Sequence, residues 1–387
     1  MVLKAFKLRL YPNKTQRNQI HVNFGCARFV WNQMLNMHIE RYKNNKKAKF
    51  QGRYSMDVML KALKIEYPWL KQAESTSLQR VNRDLDDAFQ RFFNPDLQNG
   101  FPRFKSKKNT NQSYTSKFVN NNIRIVDEHH IKLPKLGLVY FKAGRILTGK
   151  IRAVTVSVNS RKQYQASILV ESENQTFKKT KKSVGIDLGL KSLTITSDGQ
   201  KEDILKVDDR LNKQLRIWER KKSRRYENAK KAMAFDEHDK VLFPRTDLKQ
   251  FPRYQQAVRT VAKLKRHIAE RRRDNLHKLT TRLVKDYDTI VVENLSVKNM
   301  MKNHHLSASI ANASWGTLIS QLKYKCAWYG KKLIIIDPKN TSRICHECKQ
   351  KNHEFDSLSQ SEWPAAREWD CPNCHAHLDR DVNAAKN

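Results

Sequence analysis

The spacing of hydrophobic residues changes twice along the chain and divides it into three stretches. Between residues 12 and 95 the period is helical, and one stripe begins at Ile20 and Phe24 and continues at intervals of three and four residues. This spacing predicts packed amphipathic helices. Asn13, followed three residues later by Gln16, has the pattern of a capping box at the start of the first helix. We therefore predict a small helical domain here, similar to a helix-turn-helix.

Alternating apolar and polar residues flank this helical stretch on both sides. Residues 1–11 alternate, and residues 96–177 do so most clearly at 154–158 and 164–170. A period of two predicts half-buried strands, and Arg161-Lys162 between the last two strands marks a hairpin. We expect a compact β domain, a barrel, that also takes in the first strand, with the helical domain inserted between them.

The third stretch, residues 178–387, has the pattern of an α/β domain. It begins with a strand, a glycine turn and a second strand, and Asp187 interrupts the apolar run of the first strand. A buried carboxylate is costly unless it is paired or binds a metal ion. Asp187 is therefore either a metal ligand or the end of a strand in a tight turn helped by Gly189. This segment alone does not favour one over the other.

Two long basic helices are predicted next, at Asp209–Lys231 and at 255–284. Between them, the segment 235–252 is predicted to be a loop. The charged faces of both helices could simply be solvated, as such faces often are. Because the runs recur on two helices of a very basic chain, a phosphate-lined groove is the alternative we favour.

Overall charge points to a polyanionic partner. The chain has 76 Lys and Arg against 38 Asp and Glu, a formal net charge of +38 and a pI near 10.0, which favours nucleic acid over an anionic membrane surface. No apolar run is long enough to cross a bilayer, and the N-terminus lacks the pattern of a signal peptide. We therefore expect an intracellular protein, in which disulfides are rare.

Aromatic residues interleaved with cations at 101–108 could stack on bases and hold phosphates. The alternative is a basic linker anchored by two phenylalanines. The candidate nucleic-acid contacts, in this segment, on the first helix and on the two basic helices, are Arg28, Arg103, Phe104, Lys105, Lys107, Lys221, Lys222, Arg271, Arg272 and Arg273.

Four cysteines form two C-x-x-C pairs, Cys345 with Cys348 and Cys371 with Cys374, separated by 22 residues. A two-residue gap lets both thiolates reach one ion, and two such pairs complete a tetrahedral structural zinc site. A redox pair is the lesser alternative, because two such pairs together favour a metal.

Three separate elements of the α/β stretch each carry an acidic residue that could bind a metal ion. Asp187 lies on the first strand, Glu293 ends a later strand, and Asp381 begins a helix. Hard oxygen ligands suit Mg²⁺ or Mn²⁺. Two such ions, with Asp187 bridging them, would activate water at a phosphodiester.

Motifs along nearly the whole chain resemble those of the TnpB/OrfB proteins of bacterial insertion sequences, relatives of type V CRISPR effectors. In chain order they are KAFKLRLYP at 4–12, FGCARFVWN at 24–32, LDDAFQRFF at 85–93, FPRFK at 101–105, GIDLG at 185–189, VENL at 292–295, TSRIC at 341–345 and DRDVNAA at 379–385.

The resemblance implies a multidomain α+β and α/β fold. It consists of a wedge β-barrel at 1–11 and 96–177, a helical recognition domain at 12–95, and a RuvC-like nuclease domain at 178–387 with a zinc ribbon at 341–378. It also implies catalytic roles for Asp187, Glu293 and Asp381, the last chosen over Asp379 by its distance from Asn-Ala-Ala.

The activity that the resemblance implies is cleavage of double-stranded DNA, guided by an RNA from the transposon end and beside a short DNA motif. We expect a monomer with RNA, in the cytoplasm and nucleoid of a bacterium or archaeon. A strand-joining transposase and a non-catalytic nucleic-acid-binding regulator remain alternatives. The regulator is credible because the helix that carries Asp381 is short and lies near residue 387.

This chain departs from the family pattern after the second cysteine of each knuckle. Many family ribbons have glycine there, whereas this chain has Lys349 and His375. We expect slight strain in the knuckles and retained zinc binding.

Overall fold

The computed structural model describes most of the chain as two compact units, Met1–Glu173 and Asn174–Asn387. Arg161 of the predicted hairpin and residues 235–244 of the predicted loop lie outside the described residues. Those that the structure describes are 1–97, 99–109, 111–142, 144, 147–159, 162–174, 176–203, 209–232, 245–356 and 367–387.

Three helices of the N-terminal unit follow the helical stripes of the sequence. They are α1 (Lys14–Asn44), α2 (Arg53–Glu66) and α3 (Ser75–Phe93). The predicted capping box at the start of α1 is confirmed. The Asn13 side chain accepts from the backbone N–H of Gln16 at 2.9 Å, and the Gln16 side chain accepts from that of Asn13 at 3.0 Å.

Seven strands of the N-terminal unit form one sheet in the order β2-β6-β7-β1-β5-β4-β3. The first strand pairs antiparallel with β7 along its whole length, from Val2 opposite Ser172 to Leu10 opposite Tyr164. The sheet order ends at β2 and β3, and barrel closure stays a prediction. The strands are β1 (Val2–Leu10), β2 (Gln112–Lys117), β3 (Arg124–Ile125), β4 (His130–Leu133), β5 (Gly137–Lys142), β6 (Lys150–Val158) and β7 (Tyr164–Ser172).

One hydrophobic core joins the helices and the sheet of this unit. Helix residues such as Ile20 and Leu78 belong to the same buried cluster as Leu10 and Ile168 of the strands. The helical segment between β1 and β2 therefore packs with the sheet, as expected of stripes and alternating faces that bury their apolar sides.

A five-stranded sheet forms the centre of the C-terminal unit, in the order β10-β9-β8-β11-β12. Parallel pairing joins β8 to β11 and β11 to β12, whereas β9 and β10 are antiparallel. The strands are β8 (Ser183–Asp187), β9 (Ser192–Thr196), β10 (Lys201–Asp203), β11 (Thr289–Glu293) and β12 (Lys332–Ile336).

Helices cover this sheet, and Leu283 and Leu318 pack with Ile290 of β11 in one buried cluster. Among the residues that the structure describes, no helix has the length and apolarity needed to span a membrane. The helices are α4 (Asp209–Lys231), α5 (Pro252–Asp286), α6 (Val297–Met300), α7 (Ser307–Ala313) and α8 (Trp315–Tyr329).

The chain ends with a small cysteine module and a short helix. Strands β13 (Glu368–Asp370) and β14 (His377–Asp379) pair antiparallel, and α9 (Arg380–Lys386) follows directly. Helix α9 lies against β8 so closely that a Cβ on Gly185 would overlap the carbonyl oxygen of Ala385. Only glycine leaves room for this approach.

We predict that Gly185→Ala destabilises the protein by at least about 2 kcal/mol, because the added methyl group meets rigid backbone. The matched control is Gly316→Ala in α8, where a Cβ would meet nothing within 4 Å. It should be neutral or stabilising by up to about 1 kcal/mol. Urea unfolding of both variants measures the difference, and equal stabilities would contradict the close approach.

Candidate active site and metal centre

Two of the three predicted acids end neighbouring parallel strands. Asp187 is the last residue of β8 and Glu293 the last of β11. The strands are in register, with Ile186 opposite Val292. Because the carboxyl ends of parallel strands meet at one edge of a sheet, the two carboxylates lie at the same place.

Helix α9 brings the third acid to this edge. Its N-cap is Asp379, whose Oδ1 accepts hydrogen bonds from the backbone N–H groups of Asp381 and Val382, both at 3.0 Å. Asp379 Oδ2 also accepts from Lys201 Nζ at 2.6 Å. Asp379 is thus engaged as a helix cap and an ion pair, whereas Asp381 is close enough to Asp187 to act on its ionisation.

The electrostatics of these acids show the effects of burial and of repulsion between their charges. Burial raises the pKa of Asp187 to about 7, and the charges of Glu293 and Asp381 push it in the same direction. Burial also raises the pKa of Glu293, which is 8% exposed. Such shifts are typical of functional sites, although structural clusters also produce them.

Side chains outside the predicted set hold two of these acids. Thr341 Oγ1 donates to Glu293 Oε1 at 2.5 Å. Arg367 Nη1 donates to Asp381 Oδ2 at 3.0 Å, and Arg380 Nη2 donates to Oδ1 at 2.8 Å. These three roles were not predicted from the sequence. Thr341 and Arg380 lie inside the recognised motifs, but Arg367 lies in none.

A hard divalent cation fits this set of ligands, because they are all carboxylate oxygens whose ionised forms repel one another. The three acids do not form a single tight cage. Among the described residues, only the four cysteines form a group of three or more possible ligands whose atoms all lie within 4.8 Å. A site shared by two ions would not need such closeness from its carboxylates.

The four cysteines converge on one point. Sγ of Cys345 lies 3.7 Å from that of Cys374, and Sγ of Cys348 lies 3.6 Å from that of Cys371. A tetrahedron of sulfurs bound to zinc at 2.3 Å has edges of about 3.8 Å. The spacing therefore fits a four-sulfur zinc site, and Phe355 and Trp369 pack beside it as a small core.

Each knuckle has a non-glycine residue in the left-handed region, where the family pattern has glycine. The φ angles are 60° at Lys349 and 59° at His375. The backbone N–H of Lys349 donates to Cys345 O, and that of His375 to Cys371 O, both at 2.9 Å. These turns fit around the cysteines at a cost of about 1–2 kcal/mol each.

Hydrogen bonds tie the cysteine module to α9. Asn383 Nδ2 donates to Ile344 O at 2.7 Å, and the backbone N–H of His346 donates to Asn383 Oδ1 at 2.8 Å. Asn387 Nδ2 donates to the carbonyl oxygens of Ile344 and Thr341. The module thus holds the short helix that carries Asp381.

The structure groups four of the candidate nucleic-acid contacts in the N-terminal unit. Arg28, Arg103, Phe104 and Lys105 line a groove of about 480 Å³. The Trp31 indole N–H donates to Arg103 O at 3.0 Å, and Lys105 Nζ lies 3.6 Å from the centre of the Trp31 ring. Trp31 of helix α1 thus holds the aromatic and basic segment at Arg103 and Lys105.

The remaining candidates lie elsewhere. Lys107 lines a separate cavity with Arg17 and His21. In the C-terminal unit, Lys221 lies over the ring of Trp218, and Lys222 is half-buried on the same helix, α4.

The three arginines of the α5 run have different surroundings. Arg271 and Arg273 are exposed. Arg272 donates to Asn312 Oδ1 at 2.8 Å and to Ala311 O at 3.3 Å, so its guanidinium links α5 to α7.

Comparisons with known proteins cover the whole chain. Residues 1–47 match a family model described as "Helix-turn-helix domain", residues 167–304 one described as "Probable transposase", and residues 315–387 one described as "Cas12f1-like, TNB domain".

Two curated relatives align with the entire chain. One, from Streptomyces pristinaespiralis, is named "Putative RNA-guided DNA endonuclease". It is 32% identical to this chain, and the alignment covers 88% of its own length. Another, from Escherichia coli K12, is named "Putative RNA-guided DNA endonuclease InsQ". It is 30% identical to this chain, and the alignment covers 91% of its own length.

A solved structure has a similar fold. It is titled "Cryo-EM structure of the Cas12f1-sgRNA-target DNA complex", and it matches with a TM-score of 0.58 at 14% identity over 100% of this chain and 98% of that one. The predicted mixture of helices and sheets in an effector-like fold is confirmed at this level.

We predict that the purified protein contains about one zinc ion per chain, and that Cys371→Ser loses it. Amides of α9 should then exchange faster with solvent, because the module no longer holds Asn383. Metal analysis and hydrogen exchange measure both effects. Cys326→Ala, which removes a buried thiol outside the module, should retain zinc. A variant at Cys371 that keeps full zinc would contradict the assignment.

We also predict that Asp187→Asn stabilises the zinc-loaded protein at pH 8 without added magnesium. A carboxyl group with a pKa of about 7 when folded and 3.8 as its usual value destabilises the fold once ionised, by up to about 4 kcal/mol. The penalty is absent below pH 3.8 and complete above pH 7, so the advantage of the variant should grow across that window.

Urea unfolding at several pH values measures this advantage, with Asp274→Asn on the exposed face of α5 as the control. Added Mg²⁺ should stabilise the unmodified protein and leave Asp187→Asn unchanged. A variant that is less stable at pH 8 would contradict the proposed charge repulsion.

Proposed function

Since the chain belongs to the TnpB/OrfB family of insertion-sequence proteins, we propose that it is an RNA-guided DNA endonuclease that hydrolyses phosphodiester bonds with Asp187, Glu293 and Asp381. The observation that carries this proposal is the convergence of the three acids at one sheet edge, where burial, together with the charges of Glu293 and Asp381, raises the pKa of Asp187 to about 7. The names of the relatives support the same activity.

The proposed domains follow the sequence. Residues 1–11 and 96–177 form the wedge β-barrel, residues 12–95 the helical recognition domain, and residues 178–387 the RuvC-like nuclease domain with its zinc ribbon at 341–378. The seven-stranded sheet that includes β1 and the five-stranded sheet with parallel β8 and β11 support this division.

In the proposed mechanism, Mg²⁺ or Mn²⁺ bound by the acids would activate a water and stabilise the leaving oxygen. Asp187 would hold the ions together with Glu293 and Asp381, because the charges of both of those acids act on its ionisation. Thr341 orients the Glu293 carboxylate, and Arg380 with Arg367 orients that of Asp381.

Zinc, in this proposal, is structural. Four cysteines fill its coordination shell and leave no open position for a substrate. Its contribution to catalysis is indirect, because the module holds α9 through Asn383 and Asn387.

The proposed partners are a guide RNA from the transposon end and a double-stranded DNA target. Base pairing would read the target, and the basic protein would bind backbone and shape. Exposed Arg271 and Arg273 and the groove lined by Arg28, Arg103 and Lys105 are the proposed backbone contacts.

We predict that the protein, purified with its bound RNA, cleaves a matching plasmid in Mg²⁺. Asp187→Ala should reduce the rate by about 10³-fold or more, because a carboxylate that would hold the ions is lost. Asp274→Ala, an exposed acid on α5, should cleave normally. Gel analysis of plasmid cleavage measures both rates, and sequencing of the bound RNA identifies the guide.

Cleavage that survives Asp187→Ala would overturn the assigned site. Binding with steep salt dependence but no cleavage in any divalent ion would indicate a regulator instead. Strand-joined products would indicate a transposase.

A further inference from the structure

The N-terminal unit contains an open aromatic pocket that the proposed function does not use. It has a volume of about 700 Å³ and lies beside the last turns of α1 and α3. Its wall includes His38, Phe50, Phe89, Phe92, Phe93 and Phe101.

The rings of this aromatic pocket support one another. Phe101 packs edge-on against Phe89 and Phe92, with ring centres 5.5 and 5.3 Å apart. Phe50 lies 5.5 Å from Phe93 and stacks on His38 at 4.9 Å. The wall is therefore preformed, and binding would need little reordering of side chains.

Three of these rings remain open to solvent. Phe92 is 38% exposed, Phe93 52% and Phe101 45%. Large apolar side chains contribute most when buried, and a contiguous exposed apolar patch is typical of a binding surface.

Charge around the pocket selects the kind of ligand. Arg41, Lys43 and Lys49 line it, and in the described part of the chain no acidic residue does. Lys43 pairs with Glu40, so Arg41 and Lys49 are the cations best placed for an anionic ligand. A flat apolar wall beside cations complements a nucleotide, which has an aromatic base and a charged phosphate.

His38 completes the aromatic wall through its ring. Its Nε2 is covered by surrounding atoms and has no hydrogen-bond partner in the part of the chain that the structure describes. Burial and the charge of Arg41 lower the pKa of His38, and the charge of Asp86 raises it. His38 therefore contributes a ring stacked on Phe50, and not a hydrogen bond to the ligand.

We propose that this aromatic pocket binds an unpaired nucleobase of an RNA, stacked on Phe93 and Phe101, with its phosphate beside Arg41 or Lys49. The choice of RNA rests on the proposed function. A guide RNA presents unpaired bases in its loops at every stage, whereas the target strand is paired to the guide and the displaced strand is unpaired only after the guide has paired.

The test uses the full chain and a fluorescent single-stranded RNA 12-mer containing 5-iodouridine, in about 300 mM salt to weaken non-specific phosphate contacts. Phe93→Leu and Phe101→Leu keep an apolar wall but remove the stacking face. Each should weaken binding by about 5- to 100-fold. The matched control is Tyr54→Leu, which removes a ring that is 74% exposed and lies outside the pocket.

Two further measurements separate stacking from charge. The slope of log affinity against log salt should be unchanged in Phe93→Leu, because stacking releases no counterions, and shallower by about 0.7 in Lys49→Met. Photocrosslinks from 5-iodouridine should map to residues of the pocket in the unmodified protein.

The proposal is overturned if the phenylalanine variants bind like Tyr54→Leu, or if crosslinks map only elsewhere. Equal losses for a DNA 12-mer would overturn the assignment to RNA. A shift in oligomeric state in the leucine variants would show that a second copy of the chain covers the pocket. Failure of the unmodified protein to bind RNA would overturn the proposed function as well, whereas pocket-specific failure would leave it standing.

Discussion

The contact between α9 and β8 is the constraint on which the candidate active site depends. A helix of seven residues is not stable by itself, yet α9 must hold Asp381 beside Asp187. Gly185 lets the helix backbone reach the strand, and Asn383 and Asn387 bind it to the cysteine module. The four-cysteine site and the acid site are therefore parts of one mechanical arrangement, although their side chains are chemically unrelated.

The same arrangement explains why the site is costly. It gathers three carboxylates at one sheet edge, where burial and then the charges of Glu293 and Asp381 raise the pKa of Asp187 to about 7. Arg367 and Arg380 balance Asp381, and Thr341 satisfies one oxygen of Glu293, whereas the charge of Arg380 offsets only part of the upward shift in the pKa of Asp187. A binding site for divalent cations brings carboxylates together in this way. Their mutual repulsion lowers the stability of the fold when no cation is bound.

Positive charge alone does not show what the basic side chains of this protein contact. Arg272 belongs to a basic run, yet its guanidinium joins α5 to α7. Lys105 belongs to another, and it lies on the ring of Trp31. The aromatic pocket near Phe93, which has fewer cations than either helix, shows a more selective combination of stacking faces and charge. Specific recognition depends on such combinations, whereas net charge sets general affinity.

Local periodicity and residue spacing were enough to predict many helices and strands of this protein and its group of four cysteines. The helical stripe of α1, the Asn13–Gln16 capping box, the alternation in β1 and the four cysteines depend on neighbours a few residues apart. Asp187, Glu293 and Asp381 were identifiable because each interrupts or ends a recognisable element within a family motif. Properties of this kind are encoded by short-range sterics and burial.

Only the tertiary structure decided which of these elements meet. The pairing of β1 with β7, the parallel register that sets Asp187 beside Glu293, and the roles of Arg367 and Asp379 join residues far apart in the sequence. No local pattern encodes them, because strand order, register and side-chain partners depend on how the whole core packs. The candidate acids were therefore predictable from the sequence, whereas their convergence was a property of the fold.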